Sequence, residues 1–314
     1  HRKPGSILSM SQLSAIGANR SGFSLLLSAR LYATFVRPKI EYGLAIAKLL
    51  QKDYNALEKV QDTCLRMIMG AHKTASTMVL KHVCNLPSMR FRADTLKLRY
   101  CIRYDWLPED CLIHQLSTTL PFASLQTIRS HRMIQDYPFD ADPPIRTTTW
   151  LRTYRQQLFD TFIANTDQKL IRACRPSLHI DPILTVPASR HDRSRLLRWR
   201  IGWLPGKPRP CPCKDGDLSR NHVLTCKEIP ANLWRNLPTC HDPSPIHRLD
   251  YTLNQLPLSS NASCPSWWRS LCTILRHIDM LTHPDGDFAA EPFPGDLWAS
   301  SIIQHHFSPD ELEF

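Results

Sequence analysis

Apolar residues recur at helical spacing along much of this chain. Within residues 53–69 a largely apolar stripe consists of Tyr54, Leu57, Val60, Gln61, Cys64, Leu65 and Ile68. A helix with 3.6 residues per turn places these side chains on a single face. Asp53 is suited to cap this helix, and Gly70 is suited to end it. Segment 24–37 is apolar nearly all round, so we expect a buried helix that Pro38 ends or kinks.

The same spacing predicts further helices. Residues 76–85 favour a short helix, and another begins after Pro87. Residues 148–174 return to the helical period, with an apolar face that consists of Trp150, Leu151, Tyr154, Leu158, Phe159 and Phe162. Residues 189–200 predict a short arginine-rich helix, and residues 266–282 predict an amphipathic one.

Composition supports a helical fold. The 314 residues include 25 prolines and only 10 glycines, which favours helices joined by proline-containing connections over a glycine-rich strand fold. Such connections are expected at 118–147 and 176–188, and residues 231–265 are rich in loop formers. The last thirty residues are expected to be loosely docked or poorly ordered.

The charge is distributed unevenly. The net charge is +11, and residues 1–227 hold 35 Lys and Arg against 17 Asp and Glu. Residues 228–314 hold 4 Arg and no Lys against 11 acidic residues. A basic body of this kind favours a polyanionic partner, namely RNA or DNA. The alternative is a generically basic protein whose acidic end is solvated.

Two arginine sets are candidate phosphate ligands. Arg92, Arg99 and Arg103 are spaced seven and four residues apart, on one face of a predicted helix. The denser set consists of Arg190, Arg193, Arg195, Arg198 and Arg200. Five guanidinium groups on a short helix repel one another unless an anion lies near, and Asp192 is the only acid close in sequence. Trp199 and Trp203 flank this run, where burial is a more common role than base stacking.

Four soft ligands lie close together in sequence. Cys211, Cys213, His222 and Cys226 form a C-x-C-x8-H-x3-C cluster. One helical turn brings the last two ligands to the same face, and Ser219 is suited to cap that turn. A tetrahedral Zn²⁺ needs two such pairs, and with all four positions filled by protein the site is structural rather than catalytic. Chance proximity is the alternative, since the chain has 11 Cys and 14 His.

The other cysteines point to a reducing compartment. Cys64, Cys84 and Cys101 fall on apolar helix faces and are expected to be core residues. No signal peptide or run of transmembrane length is evident, so we expect an intracellular protein, in the nucleus or cytoplasm. Because the sequence begins at His1 rather than Met, we expect it to be part of a longer product.

Two separated motifs resemble a known family. "LYATFVRPKIEYG" at 31–43 and "LEKVQDTCLRMIMGA" at 57–71 are similar to the thumb that follows the polymerase palm in non-LTR (LINE-like) retrotransposon reverse transcriptases. "RSRLLRWRIGWLPGKPRPCPC" at 193–213 resembles the arginine-rich run before the C-terminal CCHC knuckle of the same proteins. The knuckle departs from that pattern, because three residues rather than the usual four separate its His from its last Cys.

The resemblance implies a mainly α fold in four segments. These are a thumb-like helical bundle at 1–117, a helical linker at 118–205, a zinc knuckle at 206–230 and an acidic, loop-rich C-terminal region at 231–314. The expected function is binding of template RNA or target DNA, with no membrane and no small-molecule substrate as partner. The alternative is a non-catalytic helical protein-interaction module that derives from a retroelement, with zinc as a staple.

The same resemblance leaves enzyme activity uncertain. The parent family is an RNA-directed DNA polymerase, whose palm holds two Mg²⁺ through aspartates that include an adjacent pair. No two consecutive aspartates occur in this sequence. The palm is therefore expected to be missing from this chain, which should be inactive alone. The chain is then either the C-terminal part of such a polymerase or a decayed copy of one.

Overall fold

The computed structural model describes residues 2–119, 123–141, 145–240, 246–259, 262–288 and 293–300. These residues are mainly helical and include no strand of a sheet, which confirms the fold class at that level. They fall into two compact units, namely residues 1–71 with 86–165, and residues 72–85 with 166–314. The four sequence segments are therefore grouped differently, since residues 72–85 leave the thumb-like segment and residues 118–165 join it.

The first unit contains most of the long helices. Its elements are α1 (Arg2–Ala15), α2 (Leu25–Leu31), a π-helical turn (Tyr32–Val36), α3 (Arg37–Glu41), α4 (Gln51–Met69), α6 (Met89–Asp105), α7 (Leu112–Thr119), α8 (Ala123–Arg129), α9 (Arg132–Gln135) and α10 (Thr147–Asn165). Helix α4 packs against α1, α2 and α6. It is the central helix of the group formed by α1, α2, α4 and α6.

The stripe predicted on α4 is confirmed. All seven of its residues are buried, and polar Gln61 is satisfied because it accepts a hydrogen bond from Tyr32 Oη (3.0 Å) and donates one to the Pro87 carbonyl (2.9 Å). The Asp53 carboxylate accepts from the Leu50 N–H at the start of the helix. Gly70 ends the helix with a left-handed φ of 59°, a conformation that costs a residue without Cβ least.

The helix that contains Pro38 does not end at that residue. The chain continues from α2 through the π-helical turn into α3, where Pro38 lies in the first turn. Proline has no N–H to donate, and a proline is tolerated in the first turn of a helix. Tyr32, Val36 and Ile40 along this segment are buried, as expected.

The expected connector at 118–147 contains helices. Ile128 of α8 and Ile134 of α9 lie in one apolar cluster with Leu98 of α6 and Leu151 of α10. Of the apolar face predicted for 148–174, only Leu151 is fully buried, and Leu158 is 45% exposed. The short apolar stretches between prolines, which show no long period, therefore supply core residues of the first unit.

The second unit is built around the arginine-rich helix. Its helices are α5 (Thr77–Val83), α11 (Lys169–Arg172), α12 (Arg190–Arg200), α13 (Ala231–Arg235), α14 (Arg248–Asn254) and α15 (Trp268–Thr282), with 3₁₀ turns at Pro182–Leu184 and His222–Leu224. Helix α15 packs against α12 and α13, and α5 packs against α11. Trp199 and Trp268 are fully buried here, so the expected burial of Trp199 is confirmed.

Several remaining expectations are settled by the same structure. Cys64, Cys84 and Cys101 are buried, as predicted. None of the helices in the described ranges combines the length and apolarity needed to cross a bilayer. The expectation of loose docking for the last thirty residues lies largely outside the described residues, although Trp298 is buried against Trp268.

Candidate metal centre and arginine clusters

The first two cysteines lie in a tight loop held by backbone hydrogen bonds. The Cys211 N–H donates to the Gly216 carbonyl (3.0 Å), and the Lys214 N–H donates to the Cys211 carbonyl (3.0 Å). Lys214 and Gly216 both adopt positive φ, of 64° and 107°. This turn directs both thiols to the same side of the loop.

The last two ligands are brought together by a short turn. The Ser219 hydroxyl accepts from the His222 N–H at 3.2 Å, which confirms the predicted cap. The turn is 3₁₀ over His222–Leu224 rather than α-helical. Val223 and Leu218 are fully buried beneath it, so each pair of ligands has a local reason for its position.

The four ligand atoms converge. They all lie within 4.8 Å of one another, with Cys211 Sγ 3.5 Å from Cys226 Sγ and Cys213 Sγ 3.2 Å from His222 Nε2. A tetrahedral Zn²⁺ with Zn–S of about 2.3 Å and Zn–N of about 2.0 Å separates its ligands by about 3.5–3.8 Å. The residues present therefore fit a metal ion of that size, and a group of this kind is able to hold one.

The three thiols of the cluster differ in the direction of their pKa shifts. Burial raises the pKa of the Cys226 thiol to about 12, and burial also raises the pKa of Cys211. A hydrogen bond from the Asp215 backbone lowers the pKa of Cys213. Without a metal the thiols of Cys211 and Cys226 therefore hold their protons, and a divalent ion that binds must displace them.

The arginines of α12 are largely directed into the second unit. Asp279 on α15 accepts from Arg195 Nε (2.9 Å) and from Arg198 Nη1 and Nη2 (2.8 and 2.6 Å). The side chain of Arg195 is 2% exposed, and Asp192 lies 3.9 Å from it. Both guanidinium groups are therefore neutralised by carboxylates of the same unit.

Arg200 and Arg193 are also committed to the interior. Arg200 is fully buried, 3.4 Å from Asp181 and 3.7 Å from Asp250, and it donates to the Asn254 side chain. Arg193 donates to the backbone carbonyls of Ile183 and Val186. These bonds fix helix α14 and the segment before α12 to α12 itself.

The prediction that all five of these arginines face phosphate needs correction. Arg190 is exposed, but Arg195 and Arg200 are buried, and Arg193 and Arg198 are half-buried with both Nη atoms of each bonded within the unit. The repulsion expected from the sequence is relieved by carboxylates that are distant along the chain. The helix is a structural element in which arginine forms the polar part of a core.

The arginines on α6 lie differently. Arg99 and Arg103 are exposed, with no acidic partner among the described residues. Arg92, in contrast, makes a two-point ion pair with Glu41, with Nε–Oε1 of 2.6 Å and Nη2–Oε2 of 2.8 Å. Trp106, three residues beyond Arg103, is 82% exposed.

Sequence reasoning missed two features of these sites. Trp106 follows Arg99 and Arg103 at the helical spacing i, i+4, i+7, so the position of this aromatic residue on the same face is visible in the sequence. Arg220, inside the knuckle, binds Asp250 of α14. No pattern in the sequence indicates that second interaction, because thirty residues separate the two side chains.

Comparison with known proteins gives no assignment. No protein-family model, curated protein or solved structure matches this chain. Any proposal of a family or a function therefore rests on the residues and on the geometry described above.

Proposed function

We propose that this chain binds nucleic acid as the zinc-stapled C-terminal portion of a non-LTR retrotransposon reverse transcriptase. The proposal of a parent family rests on the motifs at 31–43, 57–71 and 193–213, in the order that the family has them. The proposal of nucleic-acid binding rests on one surface, the exposed face of α6. Zinc held by the four-ligand cluster supplies the knuckle with its fold.

The α6 stripe, which we define as Arg99, Arg103 and Trp106, combines the groups that single strands require. Two guanidinium groups one helical turn apart neutralise successive phosphates, and releasing their condensed counterions favours binding. An exposed indole offers a flat face on which a base of any identity stacks. Within the part of the chain that the structure describes, neither arginine has an acidic partner, so neither has to break an ion pair before it meets a phosphate.

The knuckle adds a second cationic surface. Lys207, Arg209 and Lys214 are exposed and make no ion pair within the described ranges, whereas Lys227 is paired with Asp215 at 2.7 Å. The metal fixes the loop that displays Lys214. Structural zinc contributes roughly 10–16 kcal/mol of apparent binding energy in small modules, which a segment with so few buried apolar residues needs in order to stay folded.

The test is a salt titration of single-stranded RNA binding with matched variants. For a single strand, the slope of log affinity against log salt changes by about 0.7 for each phosphate that the protein neutralises. Arg99→Gln with Arg103→Gln should therefore make the slope shallower by about 1.4. The control is Arg146→Gln with Arg152→Gln, two exposed arginines of the same unit, which changes net charge equally. Equal slopes for the two double variants would contradict a role for the stripe.

A second function, a protein-interaction module, is favoured by a different observation. Tyr42 is 80% exposed, Ile46 is 62% exposed and Phe35 is 57% exposed, all within one short stretch of the first unit. Exposed apolar groups of this kind occur at protein interfaces. In that function RNA and DNA bind weakly, and both double variants behave like the wild type.

The parent family has its own test. The genomic sequence immediately upstream of this chain should continue the reading frame and encode an adjacent aspartate pair. An upstream frame without such a pair would remove the polymerase origin and leave the binding proposal to stand on the salt titration.

A further inference from the structure

Arg220 joins the metal cluster to the core of the second unit. It lies two residues before the ligand His222. Its Nη1 donates to the Trp199 carbonyl at the end of α12 (2.6 Å), and its Nη2 donates to Asp250 on α14. The guanidinium carbon lies 3.9 Å from the centre of the Trp199 ring. One side chain thus spans the knuckle, α12 and α14.

The backbone of Arg220 is held as well. His247 Nδ1 accepts from the Leu249 N–H (3.1 Å), so in the neutral ring Nε2 carries the proton and donates to the Arg220 carbonyl (2.8 Å). Burial lowers the pKa of His247, which favours this neutral form. The same imidazole lies 4.8 Å from the Trp199 ring.

Arg220 and the groups that bind it form a clamp. The groups on the far side of this clamp from the metal cluster belong to the core of the second unit. Asp250 is 2% exposed, and it also accepts from Trp199 Nε1 (3.0 Å). Trp199 itself is fully buried. The groups that hold Arg220 are therefore fixed by the core before any metal binds.

We propose that Arg220 is the positioning residue of the metal centre, acting through His222. The inference deepens the proposed function, since it rests on the same four-ligand site. By fixing the backbone two residues before His222, the clamp holds one pair of ligands in place. The metal then has less chain to order when it binds, so affinity is higher than the four ligands alone would provide.

The assignment also has a thermodynamic consequence. If the core of the second unit favours the metal-binding geometry, metal binding must stabilise that core by the same factor. The knuckle is then an integral part of the second unit, and its metal contributes to the stability of α12 and α14.

The experiment measures Zn²⁺ affinity by competition with a chromophoric chelator, on the full chain. Outer partners of metal ligands commonly contribute 10–100-fold to affinity, so Arg220→Gln should weaken binding about 10-fold. The control is Arg209→Gln, an exposed arginine in the same segment, which should bind as the wild type does. At saturation the Co²⁺-substituted variants should share one thiolate charge-transfer spectrum, because the ligands are unchanged.

The outcomes separate this inference from the proposed site. If the wild type holds no metal, the site itself is wrong. If the wild type holds metal and Arg220→Gln binds it equally well, the site stands and the positioning role is overturned.

A second variant covers the case in which Arg220→Gln fails to fold, as judged by circular dichroism with excess Zn²⁺. Arg220→Lys keeps a charge beside Asp250 but removes the fork that reaches two acceptors. It should show an intermediate loss of affinity, and wild-type affinity in this variant would overturn the inference.

Discussion

Replacing Asp279 by Asn tests whether the arginines of α12 form a structural core. The change removes the carboxylate that pairs with Arg195 and Arg198, and it leaves Arg195, whose side chain is 2% exposed, without its closest counter-charge. Breaking a buried pair by removing one partner costs about 3–5 kcal/mol. Asp192 remains 3.9 Å from Arg195, and the amide oxygen of the new Asn side chain still accepts one hydrogen bond. We therefore expect Asp279→Asn to lower the free energy of unfolding by about 3 kcal/mol.

The matched control is an exposed pair in the same unit. Arg269 and Asp296 are 2.7 Å apart, with side chains 58% and 45% exposed, and exposed pairs contribute at most about 1 kcal/mol. Urea unfolding at saturating Zn²⁺ compares Asp279→Asn with Asp296→Asn. Tryptophan fluorescence is a suitable probe, since six of the eight tryptophans lie in the second unit. A difference of less than about 1 kcal/mol at equal m-values would refute a structural role.

The pairing of Asp279 with Arg195 and Arg198 also predicts a pH dependence. Burial alone would raise the pKa of Asp279, but hydrogen bonds and charges from Arg198 and Arg195 outweigh it and lower that pKa. A carboxylate whose pKa is lower in the folded state stabilises that state fully above its unfolded pKa of about 3.9. The carboxylate loses this contribution as the pH falls through its folded-state pKa. The stability difference between wild type and Asp279→Asn should therefore shrink as the pH falls below about 4. Both proteins share the metal site, so its own acid sensitivity cancels.

Two further predictions concern the metal and the α4 core. Elemental analysis of chain purified without chelator should find about one Zn²⁺ per molecule, and Cys211→Ser with Cys226→Ser should abolish it; unchanged metal content in that variant would contradict the ligand set. Leu57→Ala and Leu65→Ala should each lower the free energy of unfolding by about 2–5 kcal/mol, whereas Leu8→Ala, at a side chain 60% exposed, should change it little. Melts in which the three variants coincide would mean that the stripe is not core.

The features that could be predicted from the sequence are those whose interacting residues lie close together along the chain. The stripe of α4 is visible in the sequence because burial at period 3.6 is recorded in consecutive residues, and Gly70 is visible because a left-handed residue ends a helix favourably. The ligands of the metal cluster are visible because sixteen residues contain all four. In each of these the interacting groups lie within one helix or one loop.

The π turn at Tyr32–Val36 and the continuation of the helix beyond Pro38 could not be predicted from the residues. A proline in an apolar segment predicts an end or a kink. Whether the chain continues depends on the packing of Tyr32, Val36 and Ile40 against neighbouring helices. That packing is tertiary, and tertiary context routinely overrides local propensity.

The arginine-rich helix shows why the charge along a sequence is a weak guide to a partner. Residues 228–314 carry an excess of acids, yet Asp250 and Asp279 from that stretch lie against Arg200 and Arg195. The basic body and the acidic end thus partly neutralise each other inside the second unit. The arginines that remain for an outside anion are those, such as Arg99 and Arg103, that are exposed and pair with no carboxylate in the described ranges. We therefore expect the nucleic-acid interaction at Arg99 and Arg103 of α6, and not at α12, where most of the arginines are paired or buried.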